Sequence, residues 1–229
     1  MDLDKKTMNT TLKGDISINN LSYSYNGRNN IIDNINIDIS KGQRILVCGT
    51  SGSGKSTLMK ILMKYYNVEN NLVKIDDKDI NDYNLFELRN SICYISQNEK
   101  ILTDTIYNNI VLDRNISYDD FLKICKIMLV DKIVEKNISK YDMLLEEEGF
   151  NISGGERQKI IMARGIIKES SIYIFDESLS QVDVESERQI LKNIFKYLTG
   201  KTIIFISHRF DNKDLFEKIF RIEKGKICD

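Results

Sequence analysis

Apolar positions along the chain form two kinds of run. Residues 16–25 carry Ile16, Ile18, Leu21, Tyr23 and Tyr25 in a partly alternating, β-rich order, and residues 31–39 alternate strictly at Ile35, Ile37 and Ile39. Alternation marks strands with one buried face. Arg44–Cys48 is a short apolar run that stops at Gly49, and Leu72–Ile75 and Ile92–Ile95 read as further strands. Ile172–Phe175 and Thr202–Ile206 are unbroken apolar runs, the pattern of parallel strands covered on both faces. Helical spacing predicts a helix over Lys55–Tyr66, with Leu58, Ile61, Leu62 and Tyr65 on one face. Further helices are predicted over 117–135, about Ser153–Lys168 and roughly 184–198. The helix over 117–135 opens with Ser117, Asp119 and Asp120, favourable chemistry for a helix N-terminus. The tail Ile219–Ile227 reads as a hairpin turning at Lys224–Gly225. Strands alternating with helices imply an α/β fold with a parallel sheet, beside an N-terminal antiparallel β-layer. The mostly helical block from about 98 to 168 interrupts that alternation, so we expect an inserted helical lobe.

Composition narrows the class. Lys plus Arg is 33 and Asp plus Glu is 34, a net charge of 33 − 34 = −1. A dedicated nucleic-acid binder is usually basic, so no nucleic-acid partner is expected. Cys48, Cys93, Cys125 and Cys228 are far apart and there is one histidine, His208, which excludes a Cys/His zinc site at the usual spacings. Such cysteines suit a reducing compartment. Met1 to Asp15 is polar, without a signal-peptide core. No stretch approaches the ~18 apolar residues needed to cross a bilayer. We expect a cytosolic chain, and no Pro/Gly-rich linker or internal repeat divides it.

Three motifs carry chemistry. Gly49-Thr50-Ser51-Gly52-Ser53-Gly54-Lys55-Ser56 matches G-x-x-x-x-G-K-[ST] between an apolar strand and an amphipathic helix. Its glycines let successive N–H groups turn inward around phosphates, and the helix N-terminus adds positive potential. Lys55 would reach the β- and γ-phosphates, and the Ser56 hydroxyl would ligate Mg²⁺. Ile172–Glu177 is a buried strand that ends in two carboxylates, where open α/β sheets place their ligands. Asp176 would serve the Mg²⁺ shell, and Glu177 would polarise the water that attacks the γ-phosphate. Ser153-Gly154-Gly155-Glu156 opens a helix and forms either a second anion site or a glycine-rich helix cap.

Together these motifs resemble the nucleotide-binding domain of ABC transporters, over about residues 16–229 and in the family's order. Gly49–Ser56, followed by Thr57, resembles the family's phosphate loop. Ser153–Glu156 resembles the signature motif, with Ile152 for the usual leucine and Glu156 for the usual glutamine. Asp176 and Glu177 match the Mg²⁺ aspartate and catalytic glutamate. Gln97 resembles the glutamine that touches Mg²⁺, Ser178–Asp183 the segment crossing the dimer interface, and His208 the switch histidine at the γ-phosphate. Tyr25 resembles the aromatic that stacks on adenine; Tyr23 is its rival, and Asn26-Gly27-Arg28 following as a turn favours Tyr25.

The resemblance implies a P-loop ATPase with ATP and Mg²⁺ as cofactors, catalytic Glu177 and His208, and metal ligands Ser56, Gln97 and Asp176. It implies one domain over 1–229, with residues 1–97 and 169–229 forming the core plus β-layer and 98–168 the helical lobe. A small-molecule kinase needs no signature motif, and a non-hydrolysing module needs neither Glu177 nor His208. A soluble ATPase acting on nucleic acid or the ribosome is the alternative, yet no heptad run or second cassette is present. Ile101–Ile110 and Glu147-Glu148-Gly149 are similar to exporter segments. Asp176–Asp183 and His208-Arg209-Phe210 look most like bacterial peptide or bacteriocin exporters. The expected partners are a second copy, in a homodimer, and the transmembrane domain of the same transporter, with the chain as its C-terminal part at the cytoplasmic face of the cell membrane.

Overall fold

The computed structural model describes residues 12–135 and 137–228; the polar opening up to residue 11 lies outside the described residues. The elements run β1 (Ile16–Tyr23), β2 (Ile32–Ile39), β3 (Arg44–Cys48), α1 (Lys55–Leu62), β4 (Val73–Ile75), β5 (Lys78–Asp79), α2 (Leu85–Ser91) and β6 (Ile92–Ser96). Four helices follow, α3 (Ile106–Val111), α4 (Tyr118–Ile127), α5 (Asp131–Val134) and α6 (Gly154–Ile166). The chain then returns through β7 (Ile172–Asp176), α7 (Val184–Tyr197), β8 (Thr202–Ser207), β9 (Lys218–Glu223) and β10 (Lys226–Cys228).

Two sheets result. One is antiparallel with strand order β2-β1-β4-β5; the other has six strands in the order β10-β9-β3-β8-β7-β6. In the second, β9, β3, β8, β7 and β6 are mutually parallel and β10 turns back on β9. The partial alternation in β1 has a cause: its register to β2 shifts between Ile18 and Leu21, and Asn20 there takes φ 50°, the mark of a β-bulge. The final hairpin turns on Lys224 and Gly225, both at positive φ, as a two-residue turn matched to strand twist requires.

The six-stranded sheet separates two apolar cores. Ile45 and Val47 of β3, Ile172 and Ile174 of β7, and Ile204 and Ile206 of β8 face α1 and the antiparallel sheet. Leu46, Cys48, Tyr173, Phe175, Ile203 and Phe205 face the helices α3, α4, α6 and α7. Successive side chains alternate faces along a strand, so both halves of each apolar run are buried.

Two helices depart from expectation. The first stops at Leu62 rather than Tyr66, because Lys64 takes φ 55° and its Nζ donates to the carbonyls of Asn81 and Tyr83. Tyr65, expected on a buried helical face, is 55% exposed. The stretch 117–135 breaks at Leu129, where φ is 57°; the chain restarts as the short α5. The Ser117 cap does form, accepting from the Asp120 N–H at 3.1 Å. The short helices α2 and α3, capped by Asn84 and Thr105, were not anticipated.

Candidate nucleotide site

The loop after β3 turns directly into α1. Gly54 stands at the N-cap with φ 104°, and a Cβ there would lie 2.7 Å from the Ile31 carbonyl; that backbone angle and that closeness both require glycine. Lys55, the loop's cation, is not held out to solvent. It is 4% exposed, and its Nζ donates to the carbonyls of Gly49 at 2.9 Å and Thr50 at 2.8 Å. A buried ammonium needs such acceptors, and the loop's own curl supplies them.

Across the sheet, Asp176 ends β7 and is 6% exposed. Its Oδ2 accepts a hydrogen bond of 2.6 Å from the Tyr94 hydroxyl on β6. Burial, then the bond to Asp176, pushes the Tyr94 phenol well above its ordinary range, so it stays a donor. Glu177 follows with φ 51°, a left-handed backbone that non-glycine residues adopt mainly where the surroundings enforce it. Its N–H donates to the Ile206 carbonyl at 3.0 Å. His208 lies just past β8, with Nδ1 3.8 Å from Glu177 Oε2.

A cavity of about 810 Å³ joins Lys55, Tyr94, Asp176 and Glu177. Its lining includes Tyr25, residues 51–57, Tyr65, Tyr66, Tyr94, Ser96, Gln97, Asp176 and Glu177. Tyr25 stands edge-on to Tyr23 and Tyr66, with centroids 5.4 and 5.2 Å away, and its hydroxyl meets Thr57 Oγ1 at 2.8 Å. Of the expected residues, Tyr25, Ser51 to Thr57, Gln97, Asp176 and Glu177 thus share one space. Gly49 and Thr50 hold Lys55, and His208 touches Glu177. Among the described residues no group of three or more His, Cys, Asp or Glu could hold a metal ion. The donors on the cavity are a hydroxyl (Ser56), an amide oxygen (Gln97) and a carboxylate (Asp176), a sparse oxygen set that suits Mg²⁺ shared with phosphates.

Residues 32–180 match the sequence profile of the ABC transporter family. The chain belongs to the ABC transporter family. It is similar to the ATP-dependent lipid A-core flippase of Pectobacterium atrosepticum, 32% identical over 95% of this chain and 38% of that protein. It is likewise 32% identical to the mitochondrial ABC transporter B family member 24 of Arabidopsis thaliana, over all of this chain and 34% of that protein. A solved structure of a bacterial Atm1-family ABC exporter with ATP bound superposes with a TM-score of 0.88 at 26% identity, covering 94% of this chain and 38% of that one. The chain therefore spans under two fifths of the length of these relatives. No helix among the described residues is long and apolar enough to cross a membrane.

The stretch expected to form the signature lies elsewhere. Ser153 to Glu156 line a separate cavity of about 490 Å³ with Lys159, Gln181, Val182 and Asp183. Ser153 caps α6: its Oγ accepts from the Glu156 N–H, while Glu156 Oε2 accepts from the Ser153 N–H at 2.8 Å. The paired glycines have a reason invisible in sequence. A Cβ on Gly155 would lie 2.9 Å from the Gln181 carbonyl, and one on Gly154 would strike the Gln181 side chain.

Two side chains to which the sequence assigned no structural role fix the segment 178–183. Gln158 of α6 is 7% exposed; its amide donates to Ser180 Oγ at 3.0 Å and accepts from the Gln181 N–H at 2.8 Å. Arg209, next to the histidine, donates to the Val182 carbonyl at 2.7 Å and to Glu187 Oε2 at 3.1 Å.

Proposed function

We propose that this domain binds ATP with Mg²⁺ and hydrolyses it to drive export through the membrane portion of its transporter, at the cytoplasmic face of the cell membrane. The observation that carries the reading is the single cavity gathering Lys55, Ser56, Gln97, Asp176 and Glu177 beneath an aromatic shelf. Tyr25 takes the adenine by stacking, a contact worth roughly 1–3 kcal/mol for a base on an aromatic. Loop N–H groups between Gly49 and Ser56 wrap the phosphates, and Lys55 turns its ammonium from the loop carbonyls to the β- and γ-phosphates. Ser56, Gln97 and Asp176 would hold Mg²⁺, which supplies charge neutralisation on the phosphate oxygens. Glu177 takes the proton of the attacking water as its oxygen bonds to the γ-phosphorus and the bond to the ADP oxygen breaks. His208, beside Glu177, orients the γ-phosphate.

Ser153 to Glu156 share no cavity with Lys55. We therefore assign them to the nucleotide of a second copy, related by a two-fold axis, so that two ATP molecules are enclosed head to tail. In this reading residues 98–168 form the lobe that presents the signature to the partner, and the rest of 1–229 forms the core. Peptide export rests only on the resemblance of 176–183 and 208–210; the relatives' names point to lipid A-core and Atm1-family transport, so the proposal is export without an assigned substrate. The test is phosphate release by the purified chain. Turnover that requires Mg²⁺ and stops on chelation is expected; metal-independent turnover, or none at any protein concentration, would overturn the reading.

A further inference from the structure

The carboxylate proposed for Mg²⁺ does not stand alone on its strand. β6 and β7 are parallel neighbours in which Ser96 pairs with Asp176 and Tyr94 with Ile174. Alternation places Tyr94, Ser96, Ile174 and Asp176 on one face of the sheet. Tyr94 is therefore the diagonal neighbour of Asp176, a spacing only a long side chain can bridge. Its phenol does so, donating to Oδ2 at 2.6 Å. Among the described residues this is the one side-chain donor to that carboxylate. The ring is half-buried against the core beneath the antiparallel sheet and also lines the nucleotide cavity, so the phenol reaches the site from a fixed base.

We infer that Tyr94 is a positioning residue that fixes the Asp176 carboxylate for the divalent cation. The inference rests on the reading of Asp176 given above. An aspartate has two side-chain torsions and can turn away from its cavity. One oxygen tied to Tyr94 leaves the other turned to the cavity in a set direction. Because β6 runs on into Gln97, the same bond ties together the two strands that deliver Asp176 and Gln97. Groups that orient a metal ligand in this way typically govern metal affinity by about 10–100-fold.

The test is Tyr94→Phe, which keeps the ring packing and removes only the donor. Mn²⁺ binding is measured by its paramagnetic resonance in the presence of the β,γ-imido analogue of ATP. The Mn²⁺ dissociation constant is expected to rise about 10-fold, while analogue affinity under chelation stays that of the parent chain. The Mg²⁺ concentration for half-maximal turnover should rise in step, with kcat at saturating Mg²⁺ retained. In an Asp176→Asn background, Tyr94→Phe should add nothing further, because its effect runs through that carboxylate. Unchanged Mn²⁺ affinity in Tyr94→Phe, or an equal additional loss in the Asp176→Asn background, would overturn the inference. If the parent chain binds Mn²⁺ with nucleotide and Asp176→Asn weakens this while Tyr94→Phe leaves it unchanged, the inference alone fails. If the parent chain binds no metal with nucleotide, the functional reading falls with it.

Discussion

Replacing Arg209 by Met should loosen the segment that joins the hydrolytic site to the signature face. The substitution keeps an apolar stem of similar length and removes the guanidinium. Three bonds disappear, to the Val182 carbonyl at 2.7 Å, to Glu187 Oε2 at 3.1 Å and a long one to the Leu179 carbonyl at 3.5 Å. Breaking a fully buried ion pair costs about 3–5 kcal/mol, since the remaining charge is left without its partner. Here the Glu187 side chain is 9% exposed and that of Arg209 28%, so a discounted cost of about 2 kcal/mol is appropriate. For a chain of this length that corresponds to a drop in Tm of about 4–8 °C. The penalty should depend on pH. Burial pushes the Glu187 carboxyl above its ordinary range, while Asn212 and Arg209 pull it part of the way back. Without Arg209 the carboxyl rises further. A carboxyl whose folded pKa is raised holds its proton more tightly in the folded state, so the folded state gains as pH falls through that pKa. The loss should therefore be greatest at neutral pH and shrink on acidification. Scanning calorimetry of both proteins from pH 7.5 to pH 5 measures it. A drop under about 1 °C at neutral pH, or a penalty that grows in acid, would refute this account of Arg209.

Two substitutions test the cavity itself. Lys55→Ala should weaken ATP binding markedly and also leave the Gly49 and Thr50 carbonyls without their donor, lowering stability by about 1–3 kcal/mol; titration calorimetry with denaturation reads both, and unchanged affinity would contradict the loop assignment. Glu177→Gln preserves shape and removes the base, so ATP should bind as before while turnover falls ~10²–10⁴-fold; phosphate release near that of the parent chain would remove Glu177 from that role.

The parts legible in the sequence are those whose signal is local. The strand, loop and helix over 44–62 could be read because they are contiguous, and β7 and β8 because burial on both faces leaves their runs 172–175 and 203–206 without charged or small polar residues. What escaped depends on partners distant in the chain. The end of α1 is set by Lys64 reaching the carbonyls of Asn81 and Tyr83. That early stop turns Tyr65 and Tyr66 toward the nucleotide cavity, where helical periodicity placed Tyr65 in the core. Gly154 and Gly155 read as a loose helix entry, yet the close approach of the Gln181 backbone demands glycine at 155, and the Gln181 side chain packs against 154. Tyr94 looked like an ordinary strand residue because its acceptor lies 82 positions away. The burial of Lys55 was not legible either, because the Gly49 and Thr50 carbonyls that receive it are set by backbone geometry, which residue types do not display.

The central claim is that two copies complete each other's sites around ATP. ATP would bridge Lys55 of one chain and Ser153 of the other, and ADP, without a γ-phosphate, would not; association then follows nucleotide by mass action. Sedimentation of the Glu177→Gln chain with ATP and with ADP, well above micromolar concentration, tests this most directly. The account predicts a dimer with ATP, a monomer with ADP, and loss of the ATP dimer when Ser153→Arg is added. Equal mass with both nucleotides would contradict it and leave Ser153 to Glu156 as a helix cap alone.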